Sequence, residues 1–557
     1  MSETQLSDQY LYQSSLKSDP EIKVSSSKRV PHVIDLNQGS YQNGVITIDA
    51  TARLNGSEGF ASLHDAYIML PYKVSMKNGG TAQTAAANRL CATLKCGNRN
   101  VIDSLSLELN GKTTVSLADY KLFWKNVRAQ TGYSPQFVEK HGAESFLYPD
   151  AAQSVSCSSG SASTSGDGYS NTMAFSSAFA VSAPPGGATI PNDGFVKRLL
   201  SNPPTAGADF SSSCPSVGGA AASTTISNQT SRGAFVAGGT AANAIMGTWN
   251  YMLKIKLTDL HPIFRELDLM ANPQIRLRFR VNQGTSVVAV DASKGMSSTT
   301  LSSGNSCPVM IAASATGNPM NGVLAASAGF SVAWGAVVNA LEPTIDGTYM
   351  PFTTAPIISK PVKKVRYNDC YAQWFCQRAG IGKSSTQLNA SFDLQLSASV
   401  KNAKYVVLLP FAEQTNNFAS ATVHQFQSPF NSSPYTLQPG SSIRNVNVRI
   451  GSTQVFDISH DYDFHHFTNE IAKISAINGD LTPELVNGLL DCQTWSFTNR
   501  MLIADVSRLT ERDVPQAIQI QGTNAGCQGV NMLILVISEQ ELTFDRLTGE
   551  VLDFTTA

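Results

Sequence analysis

The densest grouping of side chains able to hold a metal is His460, His465 and His466, with Asp461 and Asp463 between them. A zinc pair on a helix needs histidines four apart, so that both imidazoles leave the same face. His460 and His465 are five apart, and no glutamate stands between two histidines in the zincin manner. The competing reading is a polar helix start, where carboxylates meet the positive end of the helix dipole. The spacing favours that reading, and no metal site is expected. Gly380-Ile-Gly-Lys383-Ser384 has the form of the end of a phosphate loop, but the glycine required at 377 is Gln377. No helix clearly opens after it, so no nucleotide or other cofactor is expected.

The nine cysteines are scattered, and the closest pairs, Cys91/Cys96 and Cys370/Cys376, lack Cys-x-x-Cys spacing. Reduced thiols are expected rather than a disulfide framework. No Gly-x-Ser-x-Gly elbow occurs in a strand–turn–helix setting. Carboxylate pairs for glycoside hydrolysis meet only in space, and nothing in the sequence selects one. No catalytic residue is assigned, and the chain is not expected to be an enzyme.

Arg276, Arg278 and Arg280 alternate with Ile275, Leu277, Phe279 and Val281, which places three guanidinium groups on one face of a strand. A nucleic-acid surface and a solvated or subunit-facing strand both fit. Phosphate binding needs a concentrated basic face. The whole chain carries 40 basic and 41 acidic residues, for a formal charge of −1. That balance favours the solvated or subunit-facing reading, with at most weak, non-specific contact to DNA.

The elements that carry these residues read as β-rich. Apolar residues make up 42% and charged residues 15% of 557, against a usual charged share of about 25%. A low-charge surface suits a subunit that covers much of its outside with copies of itself. Two large domains are the natural expectation at this length. The polar, acidic N-terminus is not a secretory signal. The longest apolar runs, 405–411 and 532–537, are too short to span a bilayer as helices.

The chain also repeats itself. Leu70-Pro71-Tyr72 and Leu409-Pro410-Phe411 each close a short apolar run. Alternating strands follow, carrying Leu105, Leu107 and Leu109 in the first half and Val446, Val448 and Ile450 in the second. Each meets a glycine, Gly111 or Gly451. Helical spacing comes next: Tyr120, Phe123, Trp124 and Val127, then Phe464, Phe467, Ile471 and Ile474. The block starting Met252-Leu253 aligns without gaps to the block starting Met501-Leu502. Two tandem antiparallel jelly rolls of eight strands each accommodate this pattern, with short helices between strands. The expected division is an arm over 1–30, a first barrel over 31–345 and a second over 346–557. A Ser/Ala/Gly-rich stretch at about 150–245 has no counterpart in the second half and reads as an inserted loop.

Several segments resemble the major capsid proteins of polinton-like viruses and virophages. They are Ser428-Pro-Phe-Asn-Ser-Ser-Pro434 with the strand 443–450, Asn478-Gly-Asp-Leu-Thr-Pro483, Ala517-Ile-Gln-Ile-Gln-Gly-Thr-Asn524 and Glu541-Leu-Thr-Phe-Asp545. Lys256-Leu-Thr-Asp-Leu-His-Pro-Ile-Phe264, leading into 275–281, resembles the first-barrel segment. The resemblance implies a double jelly roll that forms homotrimers, giving pseudo-hexameric capsomers in an icosahedral shell around double-stranded DNA. It also implies penton and minor capsid proteins as partners, location in the virion and synthesis in the host cytosol. The alternatives are a β-sandwich carbohydrate-binding protein or glycoside-active enzyme, and a surface fibre. Deleting part of 150–245 is expected to leave trimers intact.

Overall fold

In a computed structural model, residues Ile275–Val281 form a strand whose odd-numbered apolar side chains are fully buried while its three arginines are exposed. Period-two burial of this kind means one covered face and one free face. The structure describes chiefly residues 45–49, 66–77, 98–145, 244–267 and 274–281, with short strands up to 351. In the second half it describes chiefly 361–375, 390–412, 443–458, 461–477, 488–492, 500–510, 514–525 and 530–554. The arm over 1–30, the loop 380–384 and almost all of 150–245 lie outside the described residues.

In the first half the main strands are β1 (Val45–Asp49), β2 (Tyr67–Lys77), β3 (Ile102–Leu109), β4 (Lys112–Leu117), β5 (Ile245–Lys256) and β6 (Ile275–Val281). The described α-helices are α1 (Phe123–Gly132), α2 (Pro135–Ser145), α3 (Leu257–Leu260) and α4 (Ile263–Glu266). The second half holds β7 (Val362–Phe375), β8 (Ala390–Gln395), β9 (Ala403–Ala412), β10 (Ile443–Ile450) and β11 (Thr453–Gln454). The helix α5 (Phe464–Ile477) follows, then β12 (Leu502–Asp505), β13 (Ile518–Asn524), β14 (Val530–Asp545) and β15 (Val551–Phe554). All described strand pairs are antiparallel, and each sheet that holds one of these strands draws all its strands from one half.

The duplication is visible in strand order and in register. One sheet of the first half runs β1-β6-β3-β4, and its counterpart runs β8-β13-β10-β11. Leu277 lies between Ile48 and Leu107; Ile520 lies between Leu394 and Val448. The N–H of Asn110 donates to the Gln274 carbonyl at 2.8 Å, and that of Gly451 to the Ala517 carbonyl at 2.9 Å. Both hairpins turn on two residues. Asn110 and Gly111 have φ of 47° and 78°, as a type I′ turn requires. Gly451 opens the other turn at φ 58°.

The second pair of sheets matches with a one-residue shift. β2 pairs with β5, so that Leu70 faces Leu253; β9 pairs with β12, so that Leu408 faces Leu502. Aligning Leu253 with Leu502 therefore sets Leu70 against Leu408, where the sequence alone sets it against Leu409. β9 and β12 are apolar on both faces, so a slip of one there exchanges one buried side chain for another. In the second half the two sheets form one apolar cluster, with Phe392, Val448 and Ile520 from one and Val407, Ile503 and Leu535 from the other. That is sandwich packing.

Candidate functional site: the seam between the halves

The histidine cluster resolves into a helix cap. Asp463 precedes α5, and its Oδ1 accepts the His466 backbone N–H at 2.9 Å and lies 2.6 Å from His466 Nδ1. The capping N–H above all, together with the histidine, holds this carboxyl below its usual range. His465 is exposed and lies 3.2 Å from Asn469 Nδ2; His460 is outside the described residues. Asp463→Ala is expected to lower stability by about 0.5–2 kcal/mol, the usual loss for an N-cap, as read by urea unfolding. A change below that range would contradict the capping role. Among the described residues, no group of three or more His, Cys, Asp or Glu is placed to hold a metal.

Of the three strand arginines, Arg276 contacts Asp49 at 3.3 Å and Glu108 at 3.6 Å. Its charge is thus shared with neighbouring strands of its own sheet, and at this exposure such pairs contribute little stability. Among the described residues, no helix is long and apolar enough to cross a membrane.

The residues that come together most closely are ones the sequence did not single out as a group. Phe123, Trp124 and Val127 of α1 belong to the same apolar cluster as Cys370 and the strand run 405–409 of the second half. Tyr120, one turn earlier, stacks on Trp374 of β7 at 5.8 Å and 13°. Polar bonds cross beside them. Tyr367 Oη donates to the Thr114 carbonyl at 3.2 Å, Lys112 Nζ to the Val551 carbonyl at 2.8 Å and Lys363 Nζ to the Glu266 carbonyl at 3.1 Å. Each satisfies a carbonyl of the opposite half, so the halves are joined by directional bonds as well as by area.

His261 sits at the centre with no exposed surface. Its ring lies edge-on to Trp124 at 5.6 Å and to Tyr367 at 5.7 Å. The backbone N–H of Ile263 donates to its Nδ1 at 3.2 Å. Nδ1 is therefore an acceptor, which assigns the ring proton to Nε2. Nε2 points at Asp369 Oδ1 across 3.5 Å, a long contact that leaves the imidazole poorly satisfied. Lys121 and Arg128 also face this pocket. Arg128 donates to the Thr258 carbonyl at 2.9 Å and lies over the Trp124 ring. Burial and the nearby Arg265 pull its pKa to about 10, so it stays charged at neutral pH.

Burial lowers the His261 pKa, against the pull of Asp369. Burial alone would raise the Asp369 carboxyl, but His261 and the Cys370 N–H, bonded at 2.7 Å, hold it down. The unfolded chain then takes up the histidine proton at higher pH than the folded chain does. Stability is full above the unfolded pKa of about 6.5 and falls below it by at most about 1.4 kcal/mol per pH unit. Protonation would also set a second N–H against that of Ile263. Unfolding free energy is expected to drop between about pH 7 and about pH 5, and His261→Asn to flatten that slope. An equal slope in the variant would contradict this assignment.

Compared with solved structures, the chain is similar to the Sputnik virophage structure obtained by cryo-EM. The identity is 12% over 98% of this chain and 92% of that chain, with a TM-score of 0.49. It is also similar to the mavirus major capsid protein, at 12% identity over 98% of this chain and 95% of that chain, TM-score 0.40. A PBCV-1 virus capsid chain gives 9% identity over 95% and 98%, TM-score 0.37. No family model and no curated protein matches the chain.

The sequence held one signal for the seam. The run 405–409 is buried on both faces. One face is covered by its own sandwich, and α1 of the first half joins the same cluster. A strand apolar on both faces needs two covers.

Proposed function

We propose that this chain is a major capsid protein. Copies associate as homotrimers, whose six similar barrels make a pseudo-hexameric capsomer for an icosahedral shell around double-stranded DNA. The observation that carries this reading is the repeated sheet, in which Leu277 with Leu107 and Ile520 with Val448 occupy the same register in the same strand order. Two like sandwiches joined by a bonded seam give one chain two of the six near-equivalent units that a three-fold assembly needs. The sequence resemblance to virophage and polinton-like capsid proteins points the same way. The near-balanced formal charge of −1 fits a subunit that meets other subunits more than nucleic acid.

On this reading the chain divides into an arm over 1–30 and barrels over 31–345 and 346–557. It acts as a structural subunit without catalytic residues, meets penton and minor capsid proteins, and resides in the virion after synthesis in the host cytosol. Sedimentation of the purified full chain is the test. A species of three chains is expected, with an interface above roughly 2,000 Å² in total. A monodisperse monomer at high concentration would contradict the proposal.

A further inference from the structure

At one sheet edge in the second half, the outward backbone groups are met by side chains instead of a strand. Among the described strands, β12 pairs with β9 alone, and it ends its sheet. Alternate residues of an antiparallel strand turn both N–H and C=O toward the same side. Val506 donates its N–H to the Lys404 carbonyl of β9 at 2.9 Å. The even-numbered residues therefore face β9, and Met501, Ile503 and Asp505 face outward. Tyr462 Oη donates to the Ile503 carbonyl at 2.6 Å and accepts the Ile503 N–H at 3.0 Å. Trp495 Nε1 donates to the Met501 carbonyl at 2.8 Å, and Glu470 Oε2 accepts the Asp505 N–H at 2.7 Å. From the Met501 carbonyl to the Asp505 N–H, each outward group has its partner.

We infer that Tyr462, Trp495 and Glu470 form a latch that shuts this edge against pairing with a strand of another copy. An open edge of apolar residues is a template for edge-to-edge association, and Leu502, Ile503 and Ala504 are all apolar. The tyrosine hydroxyl suits the task because it donates and accepts at once, as a neighbouring strand does. The latch is also anchored, since all three side chains are buried. Trp495 stacks on Phe467 at 5.4 Å, Arg500 lies over its ring, and Lys473 Nζ donates to Glu470 Oε1 at 2.6 Å. The first half closes the same place by other means. Lys254 takes the position of Ile503 in the ungapped match of Met252 with Met501, and its carbonyl accepts a bond from Asn98 Nδ2. Asn98 precedes β3 whereas Tyr462 precedes α5, so the two halves reach one closure from different parts of the chain. The inference goes beyond the capsid reading and does not depend on the copies forming trimers. For any subunit that meets its own copies, an open edge would offer a competing contact.

The test compares Tyr462→Phe, Glu470→Ala, Glu470→Gln and the unchanged full chain by sedimentation over a dilution series. Hydrogen exchange is read residue by residue alongside. Tyr462→Phe keeps the ring and leaves both Ile503 groups without partners. At low concentration its Ile503 amide is expected to exchange about tenfold faster, as the loss of one hydrogen bond implies. Species larger than those of the unchanged chain should then grow with concentration. Glu470→Ala should do the same through Asp505, whereas Glu470→Gln keeps an acceptor and should match the unchanged chain. A Tyr462→Phe chain that associates no further than the unchanged one would overturn the latch, whatever its exchange rates. So would equal behaviour of the two Glu470 variants. If the variants fail to fold, the unchanged chain decides. Its Ile503 and Asp505 amides should be protected as well as those of Leu502 and Ala504, and free exchange there would overturn the closure. The capsid reading survives each of these results, because it is tested by the species that the unchanged chain forms.

Discussion

Replacing Trp124 by alanine is expected to lower stability by about 3–5 kcal/mol, the range for removing a buried tryptophan. Trp124 is 1% exposed and among the largest fully buried side chains. It belongs to the first half by sequence but packs into the cluster of the second. Truncation would leave three groups without their cover: the edge of His261, the face under Arg128 and the second-half residues around Cys370. The cavity would open at the seam, so the halves should also lose cooperativity. Urea unfolding followed by circular dichroism should show a single transition in the unchanged chain and two in the variant. A loss under about 1 kcal/mol, well below the range for such a truncation, would mean that the seam is not held by this helix.

A comparable loss is expected from Gly488→Ala, at a position with almost no side-chain surface to lose. Gly488 has φ +61°, and a Cβ built there lies 2.0 Å from the Gln130 carbonyl oxygen of α1. The obstacle is backbone, which cannot rotate away. The next residue, Leu489, donates its N–H to that same carbonyl at 2.7 Å, so any shift that relieves the clash breaks this bond. Left-handed strain of about 1–2 kcal/mol and overpacking of about 1–3 kcal/mol act together. Gly132, in the last turn of α1, has nothing within 4 Å of a built Cβ. Gly132→Ala should therefore be neutral or stabilising by up to about 1 kcal/mol. Equal melting temperatures for the two alanine variants would contradict the close approach.

Much of the sheet architecture was legible because strand burial has a period of two. Ile275–Val281 shows it in the spacing of its arginines, and the Asn110-Gly111 pair announces its turn through the positive φ that both residues tolerate. The duplication was legible for the same reason, since copied strands keep their alternation. Register between strands apolar on both faces was not, because a slip there leaves no polar residue misplaced. The seam was less legible still. A stripe such as Phe123, Trp124 and Val127 says which face of a helix is apolar and nothing about what covers it. His261 and Asp369 lie far apart in sequence and meet only because α1, α4 and β7 converge. The helix start at Asp463 and His466 was legible from the polar residues that precede an apolar stripe.

The most direct test of the account is electron microscopy of the purified full-length chain. Particles with three-fold symmetry and a six-cornered outline, each chain supplying two unequal lobes, are the expected result. Single two-lobed particles that stay separate at high concentration would contradict it.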